Sequence, residues 1–518
     1  MRYTIFSITA AVAAFVTSTA AASAAGVNYT TYSDEQLQAE LDVKMKADTV
    51  DWCGEMEPLT RQMETRGSFG DRIAMLAVYS DMVCSFNEER WDDAFRRMKL
   101  WEQRSGVGLD YPLSVIIPQK AARLDVAEAR YLAIIDAANV GGVTREQGVF
   151  IWDLARSYAK ANQSELRIAF FRKLVDPSRL EKFHVLTGEA IGSELFRWEA
   201  EAGHVDAARA LLPRITSPRI FLSALGDRRF APLWSDIEAR SGKNMATVIN
   251  ALVERRTAWF DADRNNQEAL KELADAYLYA GRFDDILSLV SPREPAEADY
   301  STLTEDMSWA LGTKIRALDA LGRHDEAGAL FDRITAIDPG DGKGWVVGLV
   351  INRAMRLADL GKTDEALAAI DRADAIAKNY GNDYAHMLLR RTRICALAGA
   401  GRQSEAKALL DEAIANSADS PSSAVQAMLC VGADDEAARV ARGMLNDPVQ
   451  AGDIIDDMQA PDFALDANPS VLPSMVAKLR NRPDIAPLFQ KVARDVPRTF
   501  VPLFSIRRSA IQSAGSTE

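Results

Sequence analysis

The sequence feature that most constrains the fold is a helical hairpin from Thr313 to Pro339. Apolar residues recur three and four positions apart on both sides of Gly322, which gives each of two predicted helices one stripe to bury. Because Gly322 has no Cβ, it tolerates the positive φ that ends a helix, and the two stripes can then face each other. A hairpin this short leaves apolar surface uncovered, so we expect copies stacked against it.

Such copies are present along the second half of the chain. Glycines in the same sequence setting are separated by 41, 39, 40 and 31 residues. Small or apolar residues occupy the positions seven before, four before and five after each glycine, as close helix packing demands. The glycines are Gly281, Gly322, Gly361, Gly401 and Gly432.

This pattern, clearest from Asn266 to Leu445, resembles the tetratricopeptide (TPR) repeat family. The unit of that family is a helix-turn-helix with small, aromatic, glycine and closing-proline positions like these. The resemblance implies an all-α fold, an α-solenoid of stacked TPR-like helix pairs in one or two arrays.

A sequence echo suggests how the arrays are divided. Both 231–234 and 486–489 read Ala-Pro-Leu-aromatic, and each follows a run of predicted repeats. We therefore place a boundary near Ser241 to Lys243; the alternative is one array without a break. The predicted segments are a signal peptide at 1–24, a flexible lead-in at 25–33, arrays at 34–242 and 243–495, and a frayed tail at 496–518.

The first residues read as an export signal. Arg2 precedes an apolar stretch from Ile5 to Val16, and Ala22 to Ala24 form a small-residue cleavage site. The alternative is a membrane anchor, but the stretch is short and no stop-transfer pattern follows it. We expect a soluble periplasmic or secreted protein with no integral membrane segment after cleavage.

Charge and composition narrow the range of partners. The net charge of −13 and a pI near 5.1 argue against sequence-independent binding to nucleic acid or to an anionic membrane surface. We therefore expect a protein or peptide partner and no nucleic acid.

Four cysteines in an oxidising compartment invite pairing. Cys53 and Cys84 lie at similar distances before and after a predicted turn, so an antiparallel hairpin brings them to one height and predicts a disulfide. The alternative is two separate core residues. Cys395 and Cys430 are offset by a helical turn relative to their turn glycines, which argues against a bond between them.

Catalytic machinery is hard to find in this sequence. It lacks the metalloprotease, nucleophile-elbow, Walker and dinucleotide motifs. His204 and His324 stand beside turn glycines, and we interpret them as turn residues rather than ligands. The sequence therefore predicts no catalytic residues, no metal site and no cofactor.

The remaining candidate for a functional site is a binding surface. In the TPR family the first helix of each repeat lines the concave face, and the resemblance implies a partner-binding face with mixed charges, suited to extended peptide segments. Its residues are Lys271, Asp275, Tyr279, Arg316, Asp319, Met355, Asp359 and Arg391.

Three functions fit these expectations. The first is a non-catalytic exported scaffold or adapter that binds a protein or peptide on the concave face, for example in envelope assembly or secretion. The second is a regulatory subunit or helical frame of a cell-wall enzyme. The third is a periplasmic solute-binding receptor that uses a pocket between the two arrays.

Overall fold

The computed structural model describes residues 27–47, 50–340, 342–463 and 472–515. Within these ranges the chain is built of helices and contains no β-strand, which confirms the predicted all-α helical repeat fold. It forms two compact units, unit 1 up to Leu195 and unit 2 from Phe196. The predicted signal peptide lies outside the described residues. None of the helices described combines the length and apolarity needed to cross a lipid bilayer.

Unit 1 is a series of antiparallel helix pairs. Residues 27–33, for which the sequence predicts a flexible lead-in, instead include a 3-10 turn whose Tyr29 is buried in the core. The last helix, α10, continues across the boundary into unit 2. The helices are α1 (Asp34–Lys44), α2 (Glu57–Arg66), α3 (Gly70–Asn87), α4 (Trp91–Ser105), α5 (Leu113–Lys120), α6 (Leu124–Ala137), α7 (Arg145–Lys160), α8 (Ser164–Leu174), α9 (Pro177–Leu180) and α10 (Val185–Glu201).

Unit 2 continues the same construction, and its helices vary more in length. They are α11 (Val205–Leu211), α12 (Pro218–Gly226), α13 (Trp234–Ser241), α14 (Ala246–Ala262), α15 (Gln267–Tyr279), α16 (Phe283–Val290), α17 (Glu305–Ala320), α18 (His324–Thr335), α19 (Val346–Asp359), α20 (Thr363–Tyr380), α21 (Asp383–Gly399), α22 (Gln403–Ala408), α23 (Leu410–Ala415), α24 (Pro421–Cys430), α25 (Asp434–Asn446), α26 (Ala451–Asp457), α27 (Leu472–Leu479), α28 (Ala486–Val492) and α29 (Leu503–Gly515).

The five predicted turn glycines of unit 2 all have a left-handed backbone, with φ between 62° and 76°. At Gly322 the next residue closes the turn, since the Arg323 N–H donates to the Leu318 carbonyl at 2.9 Å. A Cβ on Gly322 would meet no atom within 4 Å, so the backbone conformation alone favours glycine there. The hairpins predicted from these glycines are confirmed.

Apolar stripes of successive hairpins join into continuous interiors. One buried cluster of unit 2 runs from Phe260 to Ala396, and a second runs from Met387 to Ala493. Alanines fill many places where helices approach closely, such as Ala327 and Ala366, which are fully buried. Each hairpin therefore depends on its neighbours for most of its burial, as in other helical arrays.

The two Ala-Pro-Leu echo segments meet each other inside unit 2. Asp227 and Ala493 form an isolated antiparallel bridge, and the Arg494 N–H donates to the Gly226 carbonyl at 2.8 Å. The Arg494 guanidinium lies 3.6 Å from the centre of the Trp234 ring and pairs with Glu238 at 2.8 Å. Unit 2 therefore closes on itself: its early helices α12 and α13 contact its late helices α26 and α28 and the residues that follow.

Residues 496–511, for which the sequence predicts fraying, instead pack into unit 2. Phe504 on α29 is 1% exposed and lies edge-on to Phe283. Arg507 covers the turn at Gly281, where an added Cβ would come within 2.8 Å of the arginine Cδ. The boundary predicted near Ser241 to Lys243 lies within unit 2, between α13 and α14.

Each unit contains one disulfide. Cys53–Cys84 in unit 1 has a Cα–Cα distance of 5.1 Å, and the predicted pairing is confirmed. Cys395–Cys430 in unit 2 also has a Cα–Cα distance of 5.1 Å, so the pairing that the sequence left open, and that the offset of the two cysteines argued against, is present. The offset argument placed adjacent turn glycines at one height. The last interval is only 31 residues, and α24 is shifted along α21 so that the two sulfur atoms meet.

Candidate functional site

A cavity of about 500 Å³ lies inside unit 2. Its walls come from α17, α19, α21 and α24, which are the first helices of successive hairpins. The other walls come from the closing elements, which are α12, α26, α27 and residues 459–463. The charged residues among those lining it are Arg219, Arg316, Arg356, Arg391, Asp359, Asp456 and Asp457. The cavity has the volume of a site for a small organic molecule.

Four residues of the predicted binding face line this cavity together. They are Arg316, Met355, Asp359 and Arg391. The other four predicted residues are not among those that line it: Lys271, Asp275, Tyr279 and Asp319. The role of all eight in binding a partner stays a prediction.

Asp319 lies behind the wall, where it holds a buried ion pair. Its carboxylate accepts two hydrogen bonds from the Arg356 guanidinium, at 2.7 and 2.6 Å, and the side chains are 1% and 4% exposed. Arg356 also donates to the His324 carbonyl at 2.9 Å, and His324 Nδ1 lies 2.9 Å from Asp319. A bidentate pair of this kind fixes the orientation of a guanidinium at the cavity wall.

His204 makes a similar contact with a carboxylate at an earlier turn of unit 2. Its Nδ1 lies 2.8 Å from the carboxylate of Glu199, a residue that is itself buried. In both cases the histidine follows a turn glycine and contacts an acidic residue five positions earlier. The sequence interpretation of these histidines as turn residues therefore omitted a contact that ties the turn to a buried carboxylate.

Arg316 is held at the wall by a residue on the neighbouring first helix. Asp275 on α15 accepts from Arg316 at 2.9 Å and from the Thr313 hydroxyl at 2.6 Å. Lys271, one helical turn earlier, pairs with Glu272. Of the predicted residues on α15, Asp275 thus supports the cavity wall, and Lys271 is paired within its own helix.

The disulfide of unit 2 adjoins the cavity directly. Cys395 lines it, as do Arg391 on the same helix and Gln426 on α24. Arg391 donates to the Gln426 amide oxygen at 2.7 Å. Because the amide is neutral, this contact orients the guanidinium and leaves its positive charge uncompensated by Gln426.

The closing elements supply the polar wall that the sequence analysis missed. On α12, Arg219 has no hydrogen-bonded or ion-paired partner among the described residues, and Ser223 lies one turn later. Ser223 donates a short hydrogen bond to Asp456 on α26. Partial loss of hydration raises the pKa of Asp456 to about 7, although the side chain is exposed at the cavity; the Asp457 and Asp453 charges add to the effect, and Ser223 and Arg219 oppose it.

Apolar side chains also line the cavity. Trp309 and Ile315 on α17 and Leu349 and Met355 on α19 line it. The Trp309 ring fits closely against α19 because Gly348 leaves room for it: an added Cβ would lie 2.9 Å from the ring. The cavity therefore combines apolar side chains with charged ones, among them Arg219 and Asp456 from the closing elements.

Across the described ranges, no group of three or more His, Cys, Asp or Glu side chains is placed to hold a metal ion.

Comparison with models of known protein families gives no match, and comparison with curated proteins gives none either.

Proposed function

We propose that this chain is a TPR-like binding protein and that unit 2 captures a small amphipathic molecule in its cavity. The observation that supports the proposal is the contact between α12 and α26, which narrows the space beside the first helices of the hairpins to a partly open cavity of about 500 Å³. An array that binds a long extended segment needs an open groove, whereas a cavity suits a compact ligand. This is the solute-receptor hypothesis, with its site inside one unit.

The expected compartment supports this function. Two disulfides are typical of proteins from oxidising compartments, and the first residues read as an export signal. We propose a periplasmic or secreted location, where solute receptors operate.

The test is ligand-dependent thermal stabilisation with a library of small amphipathic molecules. Gly312 lines the cavity on α17, and a Cβ there meets no atom within 4 Å, so Gly312→Trp adds bulk toward free space. Gly443→Trp on α25 is the matched control, because Gly443 is also helical, is exposed and has equally open surroundings. Library members should stabilise the wild type and the control but not Gly312→Trp. Equal stabilisation of all three proteins would contradict the proposal.

A protein or peptide partner is the second candidate. It is favoured by half-buried mixed charges on α15, namely Lys271 and Asp275, which lie outside the cavity lining. Here the expected result is a defined protein captured from envelope extract by the wild type and lost with Lys271→Glu. Capture that survives both Lys271→Glu and Asp275→Lys would count against α15 as the interface.

A further inference from the structure

The four arginines that line the cavity differ in how they are held. Arg316 is paired with Asp275 and Arg356 with Asp319, so two of the positive charges are compensated within unit 2. Arg391 is oriented by the neutral Gln426 amide. Arg219 alone among the four has no hydrogen-bonded or ion-paired partner in the described parts of the chain.

Arg219 does not stand alone, because a carboxyl group lies near it. Asp456 on α26 also lines the cavity, and it accepts a hydrogen bond from Ser223, which lies one helical turn after Arg219 on α12. Ser223 occupies Asp456 Oδ2, and no described residue donates to Oδ1. One wall thus presents a hydrogen-bond donor with a positive charge next to an acceptor with spare capacity.

This combination disfavours ligands that carry one kind of charge. An organic anion bound to Arg219 would also approach Asp456 and Asp457, and like charges nearby weaken binding. A simple organic cation bound to Asp456 would approach Arg219. A ligand that carries both charges close together satisfies each group with its opposite.

The apolar surface sets the rest of the ligand. Trp309, Leu349 and Met355 line the cavity from α17 and α19, where Arg316 and Arg356 are already paired within unit 2, and Arg219 and Asp456 line it from α12 and α26. A molecule that fills the cavity therefore meets apolar side chains as well as this charged pair.

We infer that the cavity binds an amphipathic zwitterion, with its carboxylate on Arg219, its ammonium group on Asp456 and its apolar group against Trp309. The chemical class is a free amino acid with an apolar side chain, or a short peptide of such residues with both termini free. This inference rests on the proposed function and specifies the ligand of the same cavity.

The test is isothermal titration calorimetry of the full chain with four probes. L-phenylalanine and L-leucyl-L-phenylalanine carry both charges; N-acetyl-L-phenylalanine lacks the cation and L-phenylalaninamide lacks the anion. At least one zwitterion should bind saturably, and the two blocked derivatives should bind at least about tenfold more weakly than L-phenylalanine. Arg219→Gln and Asp456→Asn should each weaken zwitterion binding by at least about tenfold.

Arg439→Gln is the control, since Arg439 is an exposed arginine on α25 that pairs locally with Glu436. It should leave every affinity unchanged, and circular dichroism should show native helicity in all variants. Failure of both zwitterions to bind at millimolar concentration would overturn the inference. So would equal binding of L-phenylalanine and its blocked derivatives.

Gly312→Trp separates failure of this inference from failure of the proposed function. If blocked derivatives bind as well as L-phenylalanine and Gly312→Trp abolishes their binding, the cavity is a binding site but not one for zwitterions. If zwitterions bind equally to the wild type and to Gly312→Trp, binding occurs outside the cavity and both statements fall.

Discussion

The two units build the same hairpin turn from different residues. In unit 2 the left-handed position is glycine, whereas in unit 1 it is Glu89, Ala122 and Asn162, with φ of 57°, 56° and 57°. The closing hydrogen bond is unchanged: the Arg123 N–H donates to the Pro118 carbonyl at 2.8 Å in unit 1, much as Arg323 does in unit 2. Helix packing therefore imposes the turn geometry, and glycine only lowers its conformational cost.

The units also hold their buried carboxylates differently. Asp319 in unit 2 is paired with an arginine that is itself buried. Glu128 in unit 1 is buried too, but it accepts from the Tyr158 hydroxyl at 2.5 Å and from Lys173 at 2.6 Å, and the lysine side chain is 51% exposed. The same kind of acid is thus backed by a buried cation in one unit and by a solvated cation in the other.

Replacing each of these buried carboxylates should give the largest losses of stability, and the size of the loss should differ between the two units. Asp319→Ala leaves the Arg356 charge buried without its partner, and we expect unit 2 to lose about 3–5 kcal/mol. Glu128→Ala frees Lys173 to return to water, and we expect unit 1 to lose only about 1–2 kcal/mol, mainly from the Tyr158 hydrogen bond. Hydrogen exchange measured on peptides from each unit reports the two losses separately.

Asp319→Ala combined with Arg356→Met provides the control, because it removes both charges. Stability should recover substantially relative to Asp319→Ala alone. Equal losses for Asp319→Ala and Glu128→Ala would show that exposure of the partner does not decide the cost.

Removing the disulfides should give the next largest losses of stability, and the two units can again be compared. Their loops span 31 and 35 residues, so the chain-entropy model gives each about 4 kcal/mol at most, with about 2–4 kcal/mol typical. Cys53→Ser with Cys84→Ser should destabilise unit 1, and Cys395→Ser with Cys430→Ser should destabilise unit 2, by similar amounts. The second pair should also weaken ligand binding, because Cys395 adjoins Arg391 and Gln426 at the cavity. A loss of stability in the opposite unit would contradict this assignment.

Asp456 should make the stability of unit 2 depend on pH. Its pKa is raised to about 7 in the folded protein, whereas an unfolded aspartate ionises near the ordinary value of 3.8. The folded state therefore binds more protons between these values, and stability should fall as pH rises from about 4 to 7. Asp456→Asn should remove this dependence and stabilise the unit at pH 8 by about 1–2 kcal/mol, a modest gain because cavity water screens the carboxyl group. Urea unfolding across this pH range measures both effects. If the free energy of unfolding changed with pH in the same way in the wild type and in Asp456→Asn, the assignment would be contradicted.

The smallest effects should come from exchanging the turn residues themselves. Gly322→Ala forces a Cβ into the left-handed region and should cost about 1 kcal/mol. Ala122→Gly relieves that strain in unit 1 and should gain about 0.5 kcal/mol after the greater flexibility of the unfolded chain is counted. Thermal unfolding of the two single variants tests the opposite signs, and a loss in both would mean that the unit 1 turn is not strained.

This contrast explains what sequence reasoning could find. The glycines of unit 2 mark their turns, so its hairpins were predictable, and the spacing of Cys53 and Cys84 around one turn predicted their bond. Glu89 and Ala122 carry no such signal, because either residue is ordinary in the middle of a helix. Unit 1 therefore gave a weaker repeat pattern for the same kind of turn.

The candidate site was only half predictable for a related reason. Arg316, Met355, Asp359 and Arg391 follow from the repeat register, which places them on one side of the array. Arg219 and Asp456 reach the same cavity only because segments more than 200 positions apart meet, as the Ser223–Asp456 hydrogen bond shows. No periodicity encodes that meeting. The Ala-Pro-Leu echo was its one visible trace, and we interpreted it as a boundary rather than as a contact.

The packing of α29 over the Gly281 turn has a consequence for biosynthesis. Arg507 donates to the Gly281 carbonyl across 226 positions of sequence, so the two partners leave the ribosome far apart in time. Hairpins can stack in order as they emerge, because each needs only its predecessor. The surface around Phe283 stays uncovered until translation has passed Arg507. Chaperones should therefore bind longest to nascent chains that are stalled before that point.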